Sequence, residues 1–520
     1  MSLWRNFASV SGFTLLSRAT GFVRDVIMGA VLGAGALADA FTIAFRLPNH
    51  FRAIFAEGAF NAAYVPAYSR ALEQGGPERA RAFCARMFTV LALAQVVLLA
   101  LALVFTQELL ALLAPGVIDD PQRYGPALTL TRIAFPYLLC VSLVTLIAGT
   151  LNAHGRFVAA AFAPVLLNLS IVACLAAAFL FPDAGVAAAA GVLVAGVLEL
   201  ALMIWAARRA GLFAYFARPG LDEDMKRFFK SFGPAVIGSA GVQIALFADT
   251  IIGSLLPAGG LSSIYYADRL YQLPVGVIGV AAGSVLLPEM SRRFAAGDEA
   301  GAMEAQNRTM ALTITLCAPF FVAFVVMPDI IVRGVFERGA FGPEATAAAA
   351  QVLAAYGYGL LAVVLIRSAV ASFHGRGDTT TPMLVALAAV GVNVALKILL
   401  HEPLGAQGLA LATAVGAWIN FLALAVLATR AGAMRIDGAT TRIALAVTLA
   451  CLALALVAAF GDRAAAQIGA LIAPRFPAEA QLCALGLAGA LVYGASLAVL
   501  LPALGVPLSS LRQARRSKTP

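Results

Sequence analysis

Charged residues are scarce along this chain. Asp, Glu, Lys and Arg make up only 12% of its 520 residues, whereas 61% are hydrophobic and the mean hydropathy is +0.90. A soluble domain carries roughly a quarter charged residues and about half apolar ones. The balance therefore excludes an ordinary soluble protein and predicts a protein embedded in a membrane.

Cysteine and histidine patterns are missing as well. The sequence has no CxxC pair, no Walker-type loop and no histidine spacing suited to a metal. These absences exclude a disulfide framework and a cysteine-based metal site. We therefore expect no cofactor, no bound metal and no enzymatic activity. The six cysteines are scattered, most of them within apolar runs: Cys84, Cys140, Cys174, Cys317, Cys451 and Cys483.

The net charge of +9 has no basic domain behind it. Lysines and arginines fall in short segments between apolar runs, and aromatic residues do not alternate with them. Proteins that bind nucleic acid cluster their basic residues on one face or in one domain. The sequence therefore excludes nucleic acid as a partner.

Long apolar runs dominate the chain instead. They are unalternated and each has roughly 20 or more residues, which a hydrocarbon core of about 30 Å requires, so they predict an all-α polytopic membrane protein. The first run is interpreted as a retained helix rather than a signal peptide, because Arg18 interrupts it and no A-x-A site follows. We count about fourteen runs, near residues 7–33, 36–69, 84–113, 126–153, 158–181, 185–207, 228–256, 261–291, 303–327, 345–374, 381–400, 406–429, 441–460 and 480–502.

The basic residues outside these runs are distributed unequally. When the N-terminus is placed in the cytoplasm, the cytoplasmic loops and both termini hold most of the 36 lysines and arginines. The opposite loops hold Arg123, Arg333, Arg338, Arg463 and Arg475. The positive-inside rule therefore predicts that both termini are cytoplasmic.

Short motifs recur at a spacing of about 220 residues. Because six predicted helices separate the copies, the two halves have the same orientation, related by an axis along the membrane normal. Transporters of that architecture bind substrate between their halves and alternate access to it. The predicted parts are an N-terminal lobe at 1–218, a C-terminal lobe at 219–434, and helices 13 and 14 with a basic tail at 435–520. The recurring motifs are Asp25–Gly29 with Asp249–Gly253, Arg46-Leu47 with Arg269-Leu270, Pro66–Arg70 with Pro288–Arg292, and His154–Arg156 with His374–Arg376.

Charges inside the first two runs are the strongest functional signal. A charge at the centre of a lone transmembrane helix costs about 2.5–3.5 kcal/mol on insertion scales. The carboxylates here do not cancel the arginines, so a polar cavity with surplus positive charge is predicted. Pro48 in the second run removes a backbone hydrogen-bond donor and should kink helix 2. The charged residues are Arg18, Arg24, Arg46 and Arg52, with Asp25, Asp39 and Glu57.

Four segments resemble the MurJ family, also called MviN. They are Ser17 to Asp25 (S-R-x-x-G-x-x-R-D), Phe45 to Asn49 (F-R-L-P-N), Phe55 to Tyr68 (F-A-E-G-A-F-N-A-A-Y-V-P-A-Y) and Tyr265 to Pro274. The resemblance covers essentially the whole chain, including the arrangement of helices. It implies a lipid II flippase of the bacterial cytoplasmic membrane, within the multidrug/oligosaccharidyl-lipid/polysaccharide exporter superfamily.

The resemblance also implies a substrate and a set of residues. The substrate is the undecaprenyl-pyrophosphate-linked disaccharide-pentapeptide, with its tail in a groove along helices 13 and 14. Membrane lipids and the peptidoglycan synthesis machinery are the expected partners. Arginine suits a pyrophosphate because its planar fork pairs with phosphate oxygens bidentately. The matching substrate-binding residues are Arg18, Arg24, Arg52 and Arg269; the further cavity or functional residues are Ser17, Asp25, Asp39, Asn49, Arg46 and Ser263.

Each charged residue also has a structural alternative. Arg18, Arg24 and Arg52 have the alternative of ion pairs with the carboxylates of the same two helices. Arg46 has Asp39 seven residues earlier as an alternative partner, and Arg269 adjoins Asp268. Two charged residues inside predicted helices, Arg367 in helix 10 and Glu199 in helix 6, have no assigned role.

Ion coupling involves a separate set of residues. Asp249 and Lys397 are either a structural pair or half of a coupling site. Some relatives of this family bind sodium where an acid stands one turn after an Asn in helix 11, whereas here Asn393 is followed by Lys397. We therefore predict no sodium site there.

Two other classes of function remain open. An ion-coupled small-molecule antiporter of the same superfamily is the closest alternative, although a drug exporter that handles cations needs a negative cavity. A membrane enzyme acting on polyprenyl phosphates is the third, and it needs metal ligands or a base at a membrane face.

Overall fold

The computed structural model describes residues 3–55 and 58–506. Glu57 and the basic tail after residue 506 therefore lie outside the described residues. Within the described ranges the chain is almost entirely helical and has no strand, which confirms the predicted all-α class. The chain divides into two compact units: unit 1 holds Met1–Ser262 with Arg338–Phe341, and unit 2 holds Ser263–Glu337 with Gly342–Pro520.

Unit 1 contains nine helices in the part of the chain that the structure describes. They are α1 (Leu3–Leu32), α2 (Ala36–Phe55), α3 (Gly58–Val104), α4 (Thr106–Leu113), α5 (Pro121–Ala134), α6 (Tyr137–Ala153), α7 (Val158–Ala176), α8 (Ala184–Arg209) and α9 (Glu223–Ser254).

Helix α10 (Gly260–Pro274) begins in unit 1 and continues into unit 2. A five-residue π-helical turn, Val275–Gly279, follows it. The remaining helices of unit 2 are α11 (Val280–Ala295), α12 (Glu299–Val326), α13 (Pro328–Phe336), α14 (Pro343–His374), α15 (Thr380–Arg430), α16 (Gly438–Phe460), α17 (Asp462–Ile472) and α18 (Pro477–Ala503).

Two helices are too long for a single membrane crossing. Helix α3 has 47 residues and α15 has 51. At 1.5 Å per residue each is about 70 Å long or more, over twice the hydrocarbon core. Each breaks at a glycine with positive φ, Gly76 at 71° and Gly405 at 54°, a conformation that other residues adopt only at a cost. The glycines therefore divide each helix into two segments.

The apolar runs of the sequence are helical in the structure. Nine helical segments within 3–55 and 58–506 are long and apolar enough to cross a membrane. They include α3 and α15, each counted once, whereas α1 and α2 are not among them and carry the charged residues described above. The predicted total of about fourteen crossings stays a prediction.

Aspartates determine where many of the helices begin. In each case the carboxylate accepts a hydrogen bond from a backbone N–H of the first turn, which would otherwise have no partner. The helices capped in this way are α5, α8, α9, α12 and α16, by Asp120, Asp183, Asp222, Asp298 and Asp437.

An aromatic cluster forms the core of unit 1 where α3, α6, α8 and α9 meet. Tyr64 is fully buried and stacks on Phe60 and Phe83, with ring centroids 5.3 and 5.7 Å away. Its hydroxyl lies 2.7 Å from that of Thr150 on α6. A buried tyrosine keeps its hydroxyl bonded, so this contact fixes α3 against α6.

The C-terminal helices α16 and α18 pack on one another and on the rest of unit 2. Ile443 and Val447 of α16 share a buried apolar cluster with Ala311 of α12. The Tyr493 hydroxyl on α18 donates to the Thr315 carbonyl of α12 at 2.7 Å.

Helix α13 is a short helix between α12 and α14. With nine residues it is about 14 Å long, too short to span a membrane. It buries Ile331, Val332 and Phe336, and its Gly334 lies close to Leu482 of α18. Its apolar face is therefore covered by unit 2.

Candidate functional site

The predicted substrate-binding arginines lie on three helices. Arg18 and Arg24 are on α1, Arg52 is in the last turn of α2, and Arg269 is on α10. Arg24 is buried, Arg52 and Arg269 are partly buried, and Arg18 is exposed. The first three belong to unit 1 and Arg269 belongs to unit 2.

Arg24 has a fixed position because two side chains hold it. Its Nε and Nη2 donate to Oδ1 of Asp25 at 3.0 and 2.6 Å, and its Nη1 donates to Oδ1 of Asn168 on α7 at 3.0 Å. Arg24 and Asp25 are 7% and 3% exposed. Charge-assisted hydrogen bonds of this kind are roughly twice as strong as neutral ones, so the guanidinium is held in one orientation.

Asn168 is a site residue that sequence reasoning missed. Its Nδ2 donates to the Ser17 carbonyl at 2.9 Å and to the Thr20 hydroxyl at 3.0 Å, while its Oδ1 accepts from Arg24. Gly21 of α1 faces it, and a Cβ there would lie 3.4 Å from its amide nitrogen. One asparagine in an apolar helix therefore fixes the charged face of α1. Its signal in the sequence was a lone amide within an apolar run.

Asp39 lies at the start of α2 and caps a different helix. Its carboxylate is fully buried and accepts hydrogen bonds from the backbone N–H groups of Gly259, at 2.8 Å, and Ser262, at 2.7 Å. These residues form the beginning of α10, where a helix leaves N–H groups without partners and favours negative charge. The charge nearest to the carboxylate is Arg123 at 3.9 Å, rather than Arg46.

Arg123 is buried, at 5% exposure, although the sequence placed it in a loop between two predicted helices. Its Nη1 donates to the Leu256 carbonyl at 2.7 Å and its Nη2 to the Gly116 carbonyl at 3.0 Å. Its Nε donates to Asp120 at 2.7 Å. Arg123 therefore joins the loop before α5 to the end of α9 and is a structural residue.

Arg46 and Asn49 of α2 are both partly buried. The Asn49 amide donates to the Phe45 carbonyl of its own helix at 2.7 Å, and the helix continues through Pro48. The neighbouring His50 is buried, and its Nε2 lies 2.8 Å from the Thr250 hydroxyl of α9. Sequence reasoning gave His50 no role, and the contact joins α2 to α9.

In unit 2, Arg269 interacts with an aromatic ring. Its guanidinium carbon lies 4.6 Å from the centroid of Tyr265, a cation–π distance. The adjacent Asp268 accepts a hydrogen bond from Gln272 at 3.3 Å. Ser263, also predicted as a cavity residue, is buried at the start of this unit.

Arg367 of α14 lies against the π-helical turn. A Cβ on Gly279 would be 3.2 Å from its Nε, and one on Gly283 would be 3.7 Å from its Cδ. The two glycines therefore leave room for a long cationic side chain beside α11. π-Helical turns occur frequently at functional sites. After Asn168, Arg367 is therefore the second candidate site residue to which the sequence assigned no role.

The candidate coupling residues lie in both units. Asp249 on α9 is partly buried, and Lys397 on α15 is buried. The Asn393 amide donates to the Ala412 carbonyl at 3.2 Å, across the two segments of α15. Among residues 3–55 and 58–506, no group of three His, Cys, Asp or Glu side chains is placed to hold a metal ion.

The sequence is similar to a well-defined set of proteins. A family model described as lipid II flippase MurJ matches residues 28–473. A probable lipid II flippase MurJ from Rhizobium meliloti (strain 1021) is 44% identical over 430 residues, covering 82% of this chain and 80% of that protein. A lipid II flippase MurJ from Burkholderia cenocepacia is 34% identical over 431 residues, covering 82% and 83%.

Solved structures show the same fold. A lipid II flippase MurJ in an inward closed conformation superposes with a TM-score of 0.77 at 24% identity, covering 95% of this chain and 99% of that one. A multidrug resistance MATE family transporter of the MOP superfamily, in an inward-facing conformation, gives 0.63 at 16% identity and covers 80% and 94%. At these identities the likeness establishes the fold alone.

Proposed function

Because the chain belongs to the lipid II flippase MurJ family of polytopic helical membrane proteins, we propose that it carries lipid II from the cytoplasmic to the periplasmic leaflet by alternating access. It does so without catalysing a reaction on the lipid. Arg18, Arg24, Arg52 and Arg269 bind the pyrophosphate, and the cavity that they line is cationic.

The hydrogen bonds of Asp39 are the main support for this proposal. The sequence offered Asp39 as a carboxylate that could neutralise the arginines of α1 and α2. In the structure its oxygens accept from the N-terminus of α10, and its nearest charge is Arg123. The arginines of α1 and α2 therefore have one carboxylate fewer to balance them, and positive charge in an apolar setting favours a multiply anionic ligand.

The position of Arg24 supports the same role. Asp25 and Asn168 hold its guanidinium before any ligand arrives. A ligand that meets a rigid fork loses less side-chain entropy on binding than one that must order a flexible arginine. Asp25 and Asn168 are therefore positioning residues in this proposal, and Ser17 belongs to the same network through its carbonyl.

The remaining features of the proposal concern topology and partners. Both termini lie in the cytoplasm of a bacterial cell, whose cytoplasmic membrane holds the protein. The transporting lobes are 1–218 and 219–434. The predicted crossings 13 and 14 within 435–520, which are α16 and α18 in the structure, receive the lipid tail. Membrane lipids and the peptidoglycan synthesis machinery are its other partners.

Alanine substitution of each arginine tests the ligand role. Losing one charge-assisted contact should weaken lipid II binding by about 1.5–3 kcal/mol, roughly ten- to hundredfold, while the protein still inserts. Lysine should rescue only part of the loss, because a point charge replaces a bidentate fork. Native mass spectrometry with lipid II and with free undecaprenyl phosphate measures binding, and reconstituted vesicles measure flipping. Arg132→Ala, an exposed arginine of α5, is the matched control.

A structural role gives a different pattern. Arg24→Ala would then lower thermal stability by stranding buried Asp25, and the charge-neutral double variant R24A/D25A would restore flipping. Full flipping by that double variant contradicts the ligand role. Wild-type lipid II affinity in the four single alanine variants contradicts it as well.

A further inference from the structure

Unit 1 contains a pocket of about 850 Å³ that the transport proposal does not use. It lies where α6 ends, α7 begins and α8 ends, beside the first half of α1. It includes none of the predicted substrate-binding residues. Its lining residues are Phe13, Leu151, His154, Gly155, Arg156, Phe157, Val158, Ala159, Phe162, Leu202, Trp205, Ala206 and Arg209.

The walls of this pocket are apolar and aromatic. Phe13 and Phe162 meet edge to face, with ring centroids 5.4 Å apart, and fix α1 against α7. Trp205 of α8 is 57% exposed. Tryptophan is enriched where a membrane meets water, because one part of the ring is apolar and the N–H is polar. The walls therefore suit the upper part of a lipid chain.

The charge at this pocket is of one sign. Arg156 and Arg209 line it, and no acidic residue does. The Arg209 guanidinium carbon lies 5.4 Å from the centroid of Trp205, which holds the cation at the edge of the aromatic wall. His154 also lines it, with its Nε2 3.0 Å from the Tyr68 hydroxyl. Burial and the nearby Arg156 lower the pKa of His154, so the two arginines supply the charge at neutral pH.

Arg156 differs from its counterpart in the sequence repeat. Arg376 lies 4.6 Å from the ring centroid of Phe294 and donates to the Ala433 carbonyl at 3.2 Å, so its guanidinium serves the packing of unit 2. Among the residues that the structure describes, no hydrogen bond or ion pair of the Arg156 guanidinium is found. The same motif is therefore structural in unit 2 and available to a ligand in unit 1.

We propose that this pocket binds an anionic phospholipid of the membrane, with its phosphodiester on Arg156 and Arg209 and its chains along the aromatic wall. The volume lies within the range of small-ligand sites and admits a headgroup with the upper part of its chains. The pocket lies at the ends of membrane-spanning helices, at the depth where lipid phosphates lie. Each basic residue near an anionic membrane surface contributes about 1 kcal/mol to the attraction. The lipid is a bound component and not the transported substrate, so the proposal is independent of lipid II flipping.

The experiment measures binding of phosphatidylglycerol and of zwitterionic phosphatidylcholine to the purified full chain by native mass spectrometry. We expect R156Q/R209Q to weaken phosphatidylglycerol binding roughly 30-fold and to leave phosphatidylcholine binding unchanged. Arg430→Gln is the matched control, because Arg430 ends α15 as Arg209 ends α8 and does not line the pocket. It should bind phosphatidylglycerol as the wild type does.

A second variant tests the pocket without changing charge. Ala159→Phe fills the space beside Phe162, so it should also reduce phosphatidylglycerol binding while both arginines remain. A photoactivatable phosphatidylglycerol should label the peptide around residues 154–162 in the wild type and not in A159F. Equal losses in R430Q and R156Q/R209Q would overturn the proposal, since the effect would then be general surface charge. Unchanged binding in A159F, or displacement of the label by lipid II but not by phosphatidylglycerol, would overturn it too.

Discussion

The carboxylate of Asp39 accepts a hydrogen bond from the backbone N–H of Ser262 at 2.7 Å, although 223 positions separate the two residues. The same carboxylate accepts from Gly259. Helix α2 therefore supplies the N-terminal cap of α10, a role that capping residues usually perform within their own helix. Arg123 lies 3.9 Å from the Asp39 carboxylate, so the two side chains form a buried ion pair beside the N-terminus of α10.

Removing this cap should destabilise the protein. Asp39→Ala leaves two buried N–H groups without an acceptor and removes one of the two carboxylates beside buried Arg123, so we expect a loss of about 2–4 kcal/mol. Asp39→Asn keeps one acceptor oxygen and should lose less. Thermal unfolding in detergent measures both. Asp119→Asn is the control, because Asp119 is exposed in the same region. A melting temperature for D39A equal to that of D119N would contradict the capping role.

The role of Asp39 could not be predicted from the sequence. Its partners are backbone amides, which every residue except proline has, and they lie on a helix more than 200 positions later. The sequence placed Asp39 correctly at a helix start near the charged face, because hydropathy is a local property. The sequence could not identify which N–H groups donate to Asp39, because a contact with distant backbone groups leaves no pattern of residue types.

Arg123 and Asn168 also show that the sequence does not predict which groups a polar side chain contacts. Arg123 lies between two apolar runs, so the sequence indicated a loop, whereas the structure buries its guanidinium against the carbonyls of Leu256 and Gly116. Asn168 interrupts an apolar run and was visible as a lone polar residue, but its partners on α1 depend on how α1 packs on α7. The helices and the charged residues were predictable; the pairing of those residues required the fold.

Asn168 should act as a positioning residue for Arg24. Asn168→Ala removes one acceptor from the guanidinium and two bonds to α1, so stability should fall by about 1–3 kcal/mol. Lipid II affinity should fall as well, because Arg24 loses part of its fixed orientation. Leu169→Ala changes the exposed neighbour on α7 and should affect neither measurement strongly. Lipid II binding at the wild-type level in N168A would separate Asn168 from the ligand site.

Gly33 should tolerate no side chain. Its φ is +67°, and a Cβ would lie 2.6 Å from the carbonyl oxygen of Ala340, whose N–H donates to Ala30 at 2.7 Å. Left-handed backbone alone costs other residues about 1–2 kcal/mol, and the overlap adds to it. Thermal unfolding of Gly33→Ala should show this loss. Gly35→Ala is the control two residues away, where no atom lies within 4 Å; equal melting temperatures for the two variants would contradict the prediction.

Asp120 should make stability depend on pH. Its hydrogen bond from Arg123 holds the pKa of this carboxyl below its usual value of 3.8. A depressed carboxyl pKa stabilises the fold above the unfolded pKa, and the contribution disappears as pH falls through the folded value. Asp120→Asn keeps an N-cap residue and removes the charge, so the difference in melting temperature from the wild type should be full at pH 7 and vanish at acidic pH. Asp183→Asn, at another helix cap, should show a smaller difference. A difference that stays constant with pH would exclude the ion pair as its cause.

Transport should not require a sodium gradient. The oxygen ligands that sodium needs are not offered at the position where an acid would follow Asn393, because Lys397 stands there and is buried. The Asn393 amide already donates to the Ala412 carbonyl, which orients the side chain toward its own helix pair. Lipid II flipping in everted vesicles should therefore be equal with sodium or potassium as the only alkali cation. Lys397→Glu, which places an acid one turn after Asn393, is the informative variant: sodium should stabilise it against heat and leave the wild type unchanged. Sodium-dependent flipping by the wild-type chain would show that the prediction is wrong.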